Sequence, residues 1–337
     1  MISFIRSEPQ LDFNDVLLVP KVHPQKVLSR SEVDLADPAL GTVPIIVANM
    51  DSIGTFEMAE HLKPFNVMVA LLKDFTVEDW RIEVAERGLS PKNLIPTMGT
   101  RDLSENIVKI HALVHEFPDI PFICLDVANG YLPAVANAVS SVKKSLPHVK
   151  ICAGNVVDGA GVRHLAEAGA DIVKVGIGSG GVCLTRMKTG VGYPQFSAVL
   201  NCVEEAKKLN VRIISDGGIT CAGDFSKAFS AGADMVMAGS FFAGHEETGQ
   251  NFHGMSSDRS RMQRGESLLD YRASEGRAVV LSPKGSIAHT MRDLLGGIRS
   301  SCTYLGVTSI ADLRSSQIEA IRVYRQLNRI GNVENEF

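Results

Sequence analysis

The chain is short of the features that would place it outside ordinary globular proteins. It has one tryptophan and five tyrosines in 337 residues, and its six cysteines include no Cys-x-x-Cys pair. That cysteine usage argues against a disulfide framework and reads as reduced thiols of the cytoplasm. No His-Glu-x-x-His segment occurs and the nine histidines are scattered, so no zinc-type site is expected. Basic excess is missing: 34 Lys and Arg stand against 38 Asp and Glu, a net charge of −4. A duplex nucleic-acid binder would carry the opposite balance. Long apolar runs are missing too. The longest stretch without a charge, residues 127–142, is 16 residues and contains Pro133, too short and broken to span a bilayer. The first ten residues, MISFIRSEPQ, do not read as a secretory signal. Short-period repeats, low-complexity tracts and a Pro/Gly/Ser-rich linker are absent as well.

What the chain does have is a recurring unit. Eight short runs rich in Ile, Val and Met lie at 44–48, 66–71, 93–97, 121–125, 149–153, 171–175, 211–215 and 234–238. Each has the length of a strand and is apolar enough for burial on both faces. Amphipathic stretches at 77–87, 103–114, 131–144, 161–168 and 197–209 lie between them. Such alternation gives a parallel sheet, and eight units in about 200 residues match an α/β (β/α)8 TIM barrel. The expected barrel core spans about 43–244. Residues 245–337 read as a flap and C-terminal appendage of the same single domain, with helical patterns at 288–295 and 317–326.

Polar or glycine-rich turns follow most runs, at the end that forms the catalytic face of such a barrel. The longest, from Gly176 to Tyr193, holds six glycines and Cys183. Glycines at this density let backbone groups approach a ligand or ion. Arg186 and Lys188 follow closely, and nearby positive charge favours a thiolate. Cys183 therefore reads as a nucleophile, whereas Cys124, Cys152 and Cys202 sit in apolar or amphipathic segments and read as inert. Residues 176–181 also fit Gly-x-Gly-x-x-Gly, but no helical pattern begins before about Gln195, so a dinucleotide-binding Rossmann turn is rejected. Asp216, Gly217 and Gly218 after run seven, with Gly239 and Ser240 after run eight, occupy the usual phosphate site of these barrels. Asp216 would repel a phosphate and suits ribose hydroxyls instead. Asp126 and Asn129 after run four could hold a polar ligand or only cap a turn. Glu275, in the segment 271–276, reads unaided as a solvated charge.

These residues carry a resemblance. Segments such as LDFNDVLLVPK (11–21), PIIVANMDSIGTFEMA (44–59), CLDVANGY (124–131), VKVGIGSGGVC (173–183), TGVGYPQ (189–195), GMSS (254–257), YRASEG (271–276) and GGIRSSCTYLG (296–306) resemble the IMP dehydrogenase/GMP reductase family nearly end to end. The resemblance implies a barrel enzyme that assembles as a homotetramer and binds a purine 5′-nucleotide. It implies a Cys183 adduct at purine C2, with Thr185 and Glu275 handling protons. The nucleotide pocket would hold Asp216, Gly217, Gly218, Gly239, Ser240, Gly254, Met255, Ser256, Arg272, Ala273, Ser274 and Gly276. NADPH would meet Lys73, Asp126, Val127, Ala128, Ile177, Gly178 and Tyr271. Ser300, Ser301, Cys302 and Thr303 would join it, as would Ser29 and Arg30 of a neighbouring chain. Gly178, Gly180, Cys183 and Arg186 would mark a potassium loop. Three departures stand out: Gly181 replaces a phosphate-contacting serine, Leu184 a threonine, and Leu71-Leu72 a Val-His pair.

The two branches of the family share barrel and Cys loop, and differ in what consumes the adduct. The runs follow one another with no room for inserted CBS modules. No Arg-Tyr pair, which dehydrogenases use to activate water, occurs anywhere. Expected therefore is NADPH-dependent reductive deamination of GMP to IMP and ammonia in purine nucleotide salvage. The alternatives are a dehydrogenase without CBS domains and a purine-nucleotide-binding protein without turnover.

Overall fold

The structure, a computed structural model, describes residues 7–22, 29–263, 265 and 273–323. A short β1 (Val16–Leu18) precedes the barrel. Each of the eight apolar runs then forms a strand: β2 (Ile45–Val47), β3 (Met68–Leu71), β4 (Leu94–Met98), β5 (Ile123–Asp126), β6 (Ile151–Val156), β7 (Ile172–Val175), β8 (Arg212–Asp216) and β9 (Met235–Ala238). They close into a barrel in chain order, all parallel, with Ile45 to Val47 of β2 in register with Val236 to Ala238 of β9. Every residue of β2, β3, β4, β6, β7 and β9 is buried, as expected of strands covered by helices outside and packed side chains inside.

The helices are α1 (Phe56–Leu62), α2 (Val77–Glu86), α3 (Leu103–Glu116), α4 (Pro133–Ser145), α5 (Gly159–Glu167), α6 (Thr185–Thr189), α7 (Gln195–Leu209), α8 (Ala222–Ser230), α9 (Asp258–Gln263), α10 (Ile287–Leu305) and α11 (Ile310–Ser315). Their starts follow capping chemistry. Thr76 and Asp79 satisfy each other's backbone N–H groups at α2, and Asp158 accepts from Gly161 at α5. The eighth helix of the outer ring is α10, which packs on α8 and α1. The ring thus draws on the segment after 245.

Three expectations change. The pattern at 317–326 is not a helix within the described residues. Ala320–Arg322 forms β12, antiparallel to β1, with Val16 opposite Arg322. Pairing with a free strand edge overrides a weak local helical preference. Residues 245–337, expected to be a flap and appendage with helical patterns only, also contain β10 (Asn251–His253), paired with β11 (Ala278–Val280). The Cys loop is not helix-free before Gln195, because α6 begins at Thr185.

Candidate active site

The carboxyl ends of all eight barrel strands, or the loops that follow them, line one cavity of about 980 Å³. Into it come the three residues expected to do chemistry. Cys183, half-buried, donates its S–H to Thr185 Oγ1 at 3.3 Å, and Thr185 Oγ1 donates to Glu275 Oε2 at 2.6 Å. Glu275 is 90 residues away in sequence from Thr185. A strap of backbone pairing brings it there. Leu184 N donates to Glu275 O at 2.7 Å, Arg277 N donates to Val182 O at 3.0 Å, and Cys183 and Gly276 form an antiparallel bridge. Gly276 has to be glycine, since a Cβ there would stand 2.7 Å from Ser257 N. The start of α6 lifts Thr185 beside the thiol. Glu275 is therefore not the solvated charge that its segment suggested unaided.

The Arg186 charge, expected behind Cys183, lies elsewhere. Arg186 donates to Asp12 Oδ2 at 3.1 Å and to Tyr193 O at 2.6 Å, so its guanidinium faces the N-terminal segment. What stands at the thiol is a hydroxyl and a carboxylate, a proton route rather than a cation. Gly178, Gly180 and Cys183 do share one loop, and Gly180 O accepts from Cys183 N at 3.0 Å.

Of the expected nucleotide residues, Asp216, Gly217, Gly218, Gly239, Ser240, Gly254, Met255, Ser256 and Gly276 line the cavity. Ala273 and Ser274 do not; Ser274 Oγ instead accepts from Asp258 N at 3.2 Å and donates to Gly276 O at 3.2 Å, bracing the strap. Tyr271 and Arg272 lie outside the described residues. On the dinucleotide side Lys73, Asp126, Val127, Ala128, Ile177 and Gly178 line the same cavity. Ser29, Arg30, Ser300, Ser301, Cys302 and Thr303 do not line it. They gather on the barrel's flank, where the turn at Arg30–Glu32 packs on α10 and Arg299 donates to Arg30 O at 3.3 Å. Cys302 is fully buried there, its thiol pushed up to about 11 by burial, so its side chain belongs to the core. Ser301 is tied to Ser226, 2.9 Å between hydroxyls.

Several lining residues went unread in the sequence. Asn155 is 8% exposed and donates to Asp216 Oδ2 at 2.9 Å and Gly176 O at 2.7 Å. Its Oδ1 is buried with no partner among the described residues. Lys174 sits on the floor between Asp126 and Asp216. Its signal was present: a lysine inside an apolar run demands a buried counter-charge. Arg101 and Lys109 extend the lobe around Lys73. Burial lowers the Lys109 ammonium, which donates to Lys73 O. Burial raises Asp126, but Lys174, Asn49 and the Lys73 charge more than offset it and hold the carboxyl below its ordinary range. Asp126 thus stays an acceptor for hydroxyl or amide groups.

Comparison with known proteins gives a consistent picture. Residues 10–328 match the family model described as IMP dehydrogenase / GMP reductase domain. The chain is 44% identical to GMP reductase 2 of Homo sapiens, over 97% of the chain and 98% of that protein. It is 43% identical to a GMP reductase of Phytophthora infestans, over 98% of the chain and 96% of the relative. A GMP reductase of Shewanella pealeana is 43% identical, over 97% and 98% respectively.

Proposed function

The chain belongs to the IMP dehydrogenase/GMP reductase family, and we propose that within it this oxidoreductase converts GMP to IMP and ammonia with NADPH. The observation that carries the proposal is the continuous route from Cys183 through Thr185 to Glu275. The loss of an amino group needs a nucleophile at carbon and a proton for the leaving nitrogen, and this route supplies both.

Glu275, through Thr185, takes the thiol proton as Cys183 Sγ bonds to purine C2. The same proton returns along the route to the C2 amino group. The C2–N bond breaks, ammonia leaves, and a thioimidate remains on Cys183. NADPH, when bound, supplies hydride to C2. The C2–S bond then breaks, IMP forms, and Cys183 takes up a proton from solvent by way of Glu275 and Thr185. Backbone amides at Gly218 and Gly239 suit the nucleotide phosphate, and Asp216 the ribose hydroxyls. The cations Lys73, Arg101 and Lys109 suit the phosphates of a dinucleotide. The carbonyls of Gly178, Gly180 and Cys183 are hard oxygen donors of the kind that suit potassium.

The reductase direction is supported by the relatives' names and by the missing Arg-Tyr pair. A water-activating flap would have to fit between Gly254 and Glu275, a span of 22 residues that is short for it. We also place the enzyme in the cytoplasm, in purine salvage, as a homotetramer of single-domain chains. Ser29, Arg30 and residues 300–303 lie together on one flank and outside their own chain's cavity, which supports their serving a neighbour. Purified protein should oxidise NADPH when GMP is added and release ammonia and IMP. Formation of XMP from IMP and NAD would replace this reading with the dehydrogenase.

A further inference from the structure

Lys174 is the charged residue of β7, a strand whose four positions are all buried. Its side chain is 4% exposed, and its ammonium meets Asp126 Oδ1 at 2.8 Å and Asp216 Oδ2 at 2.5 Å. Asp126 ends β5 and Asp216 ends β8. One cation therefore spans three strands of the barrel. Each carboxylate has a second tether: Asn49 Nδ2 donates to Asp126 Oδ2 at 3.0 Å, and Asn155 Nδ2 donates to Asp216 Oδ2 at 2.9 Å. Asn49, Asp126, Asn155, Lys174 and Asp216 all line the cavity, so this network is its floor. Asp216 Oδ1 accepts no hydrogen bond among the described residues and is left for a ligand.

We propose that Lys174 is a positioning residue that fixes the nucleotide-side Asp216 and the dinucleotide-side Asp126 with one ammonium, and thereby couples the two binding lobes. This rests on the functional reading above, which assigns Asp216 to GMP and Asp126 to NADPH. A change at either carboxylate redistributes the ammonium's charge to the other. Without the ammonium, two carboxylates would share a buried floor, and one would take up a proton and cease to be a pure acceptor. With it, Asp126 is held below its ordinary range despite its burial. Burial alone would lower the Lys174 ammonium, but Asp126 and Asp216 more than reverse that and raise it well above its ordinary range. The other titratable groups facing the network do not replace Lys174. The Cys124 thiol is raised by its hydrogen bond to Cys152 and by burial, and so stays neutral. The Lys73 charge reaches Asp126 from the next lobe.

The test uses Lys174→Met, which keeps the unbranched stem and removes the ammonium, together with Asp126→Asn and Asp216→Asn, which keep volume. In Lys174→Met the KM values for GMP and for NADPH should both rise by about tenfold or more, with kcat changing less, because both carboxylates lose a buried charged partner. GMP affinity of that variant should weaken more steeply than the wild type's as pH falls from about 8 to about 6, because the GMP phosphate titrates against both proteins and only the variant adds an uncompensated carboxylate pair. The Asn variants carry the proposal even if Lys174→Met fails to fold. Asp126→Asn should alter GMP affinity, and Asp216→Asn NADPH affinity, each by roughly threefold or more through the shared ammonium. Asn variants that each disturb only their own ligand overturn the coupling. So does a folded Lys174→Met protein in which kcat alone falls. Affinities are read by equilibrium binding of GMP and of NADPH to each protein. A wild type without GMP-dependent NADPH oxidation sinks the functional reading; unchanged cross-affinities sink this one.

Discussion

Cys183 differs from the chain's other thiols in its surroundings. Cys124, Cys152, Cys202 and Cys302 are buried, and burial pushes Cys202 and Cys302 up. Cys221 is exposed but caps α8 on the outer ring. Only Cys183 combines access with a hydroxyl and carboxylate in line. Alkylation should therefore mark Cys183 and Cys221 and spare the other four, and GMP should protect Cys183 alone. Cys183→Ala should lose turnover while GMP still binds, since the residues proposed to meet ribose and phosphate lie on other loops. Retention of more than about a hundredth of wild-type kcat, a barrier change below roughly 3 kcal/mol, would show that the adduct is not needed. The glycine run made Cys183 visible in the sequence. The reason it is special was not visible, because Arg186 turned to Asp12 and Glu275 arrived from far along the chain.

Pairs of elements meet where neither sequence announces the other. The Cys loop and the β9 turn approach so closely that a Cβ on Gly181 would stand 3.1 Å from Ser240 Oγ. Two hydroxyls cannot share that space unmoved. Ser240 therefore offers a hydroxyl close to where a serine at 181 would have placed one, which makes sense of the glycine found there. Gly181→Ser should weaken GMP binding several-fold by displacing the Ser240 hydroxyl, and Gly181→Ser/Ser240→Gly should recover most of it. Calorimetric titration of GMP into the single and double variants checks this. Additive effects of the two changes would mean that the hydroxyls do not compete. The β1–β12 pair makes the same point in backbone terms. Residues 317–326 carry a helical pattern, yet 320–322 pair with a strand some 300 residues earlier.

For the molecule as a whole, the end of the barrel opposite the cavity depends on Asp37. Its side chain is 2% exposed and meets Arg212 Nη2 at 2.6 Å and Arg314 Nη1 at 3.2 Å. One carboxylate thus ties the entry to the barrel, the start of β8 and α11 together. Burial raises the Asp37 carboxyl, but the Arg212 charge, the Ala39 N–H and Arg314 outweigh it and hold it below its ordinary range in the folded protein. A depressed folded value means stabilisation that is complete above the unfolded value and is lost as pH falls through the folded one. Asp37→Asn should cost about 2 kcal/mol at neutral pH, because Arg212 and Arg314 lose a charged hydrogen-bond partner but keep Asp234. The variant should also lose the acid-sensitive part of the melting temperature below about pH 4. Thermal melts of both proteins from neutral to acid pH check this, and parallel curves would assign the acid sensitivity to other groups. GMP affinity should not change, since Asp37 does not line the cavity.

The sequence by itself determined the barrel and the face that carries its site. Strands buried on both sides must be apolar throughout, and loops that approach a ligand must be small or polar. Both are local compositional demands, and all eight runs and the Gly176–Cys183 loop met them. Tertiary structure alone decided which distant residues meet there. Closing the barrel sets Lys174 between Asp126 and Asp216, and pairing across the Cys loop sets Glu275 on Thr185. It also put α10, from the far end of the chain, into the outer ring. Such pairings depend on strand order, register and the strap's path in space. A lone charge in an apolar run signals that a partner exists, but its identity is a property of the closed barrel.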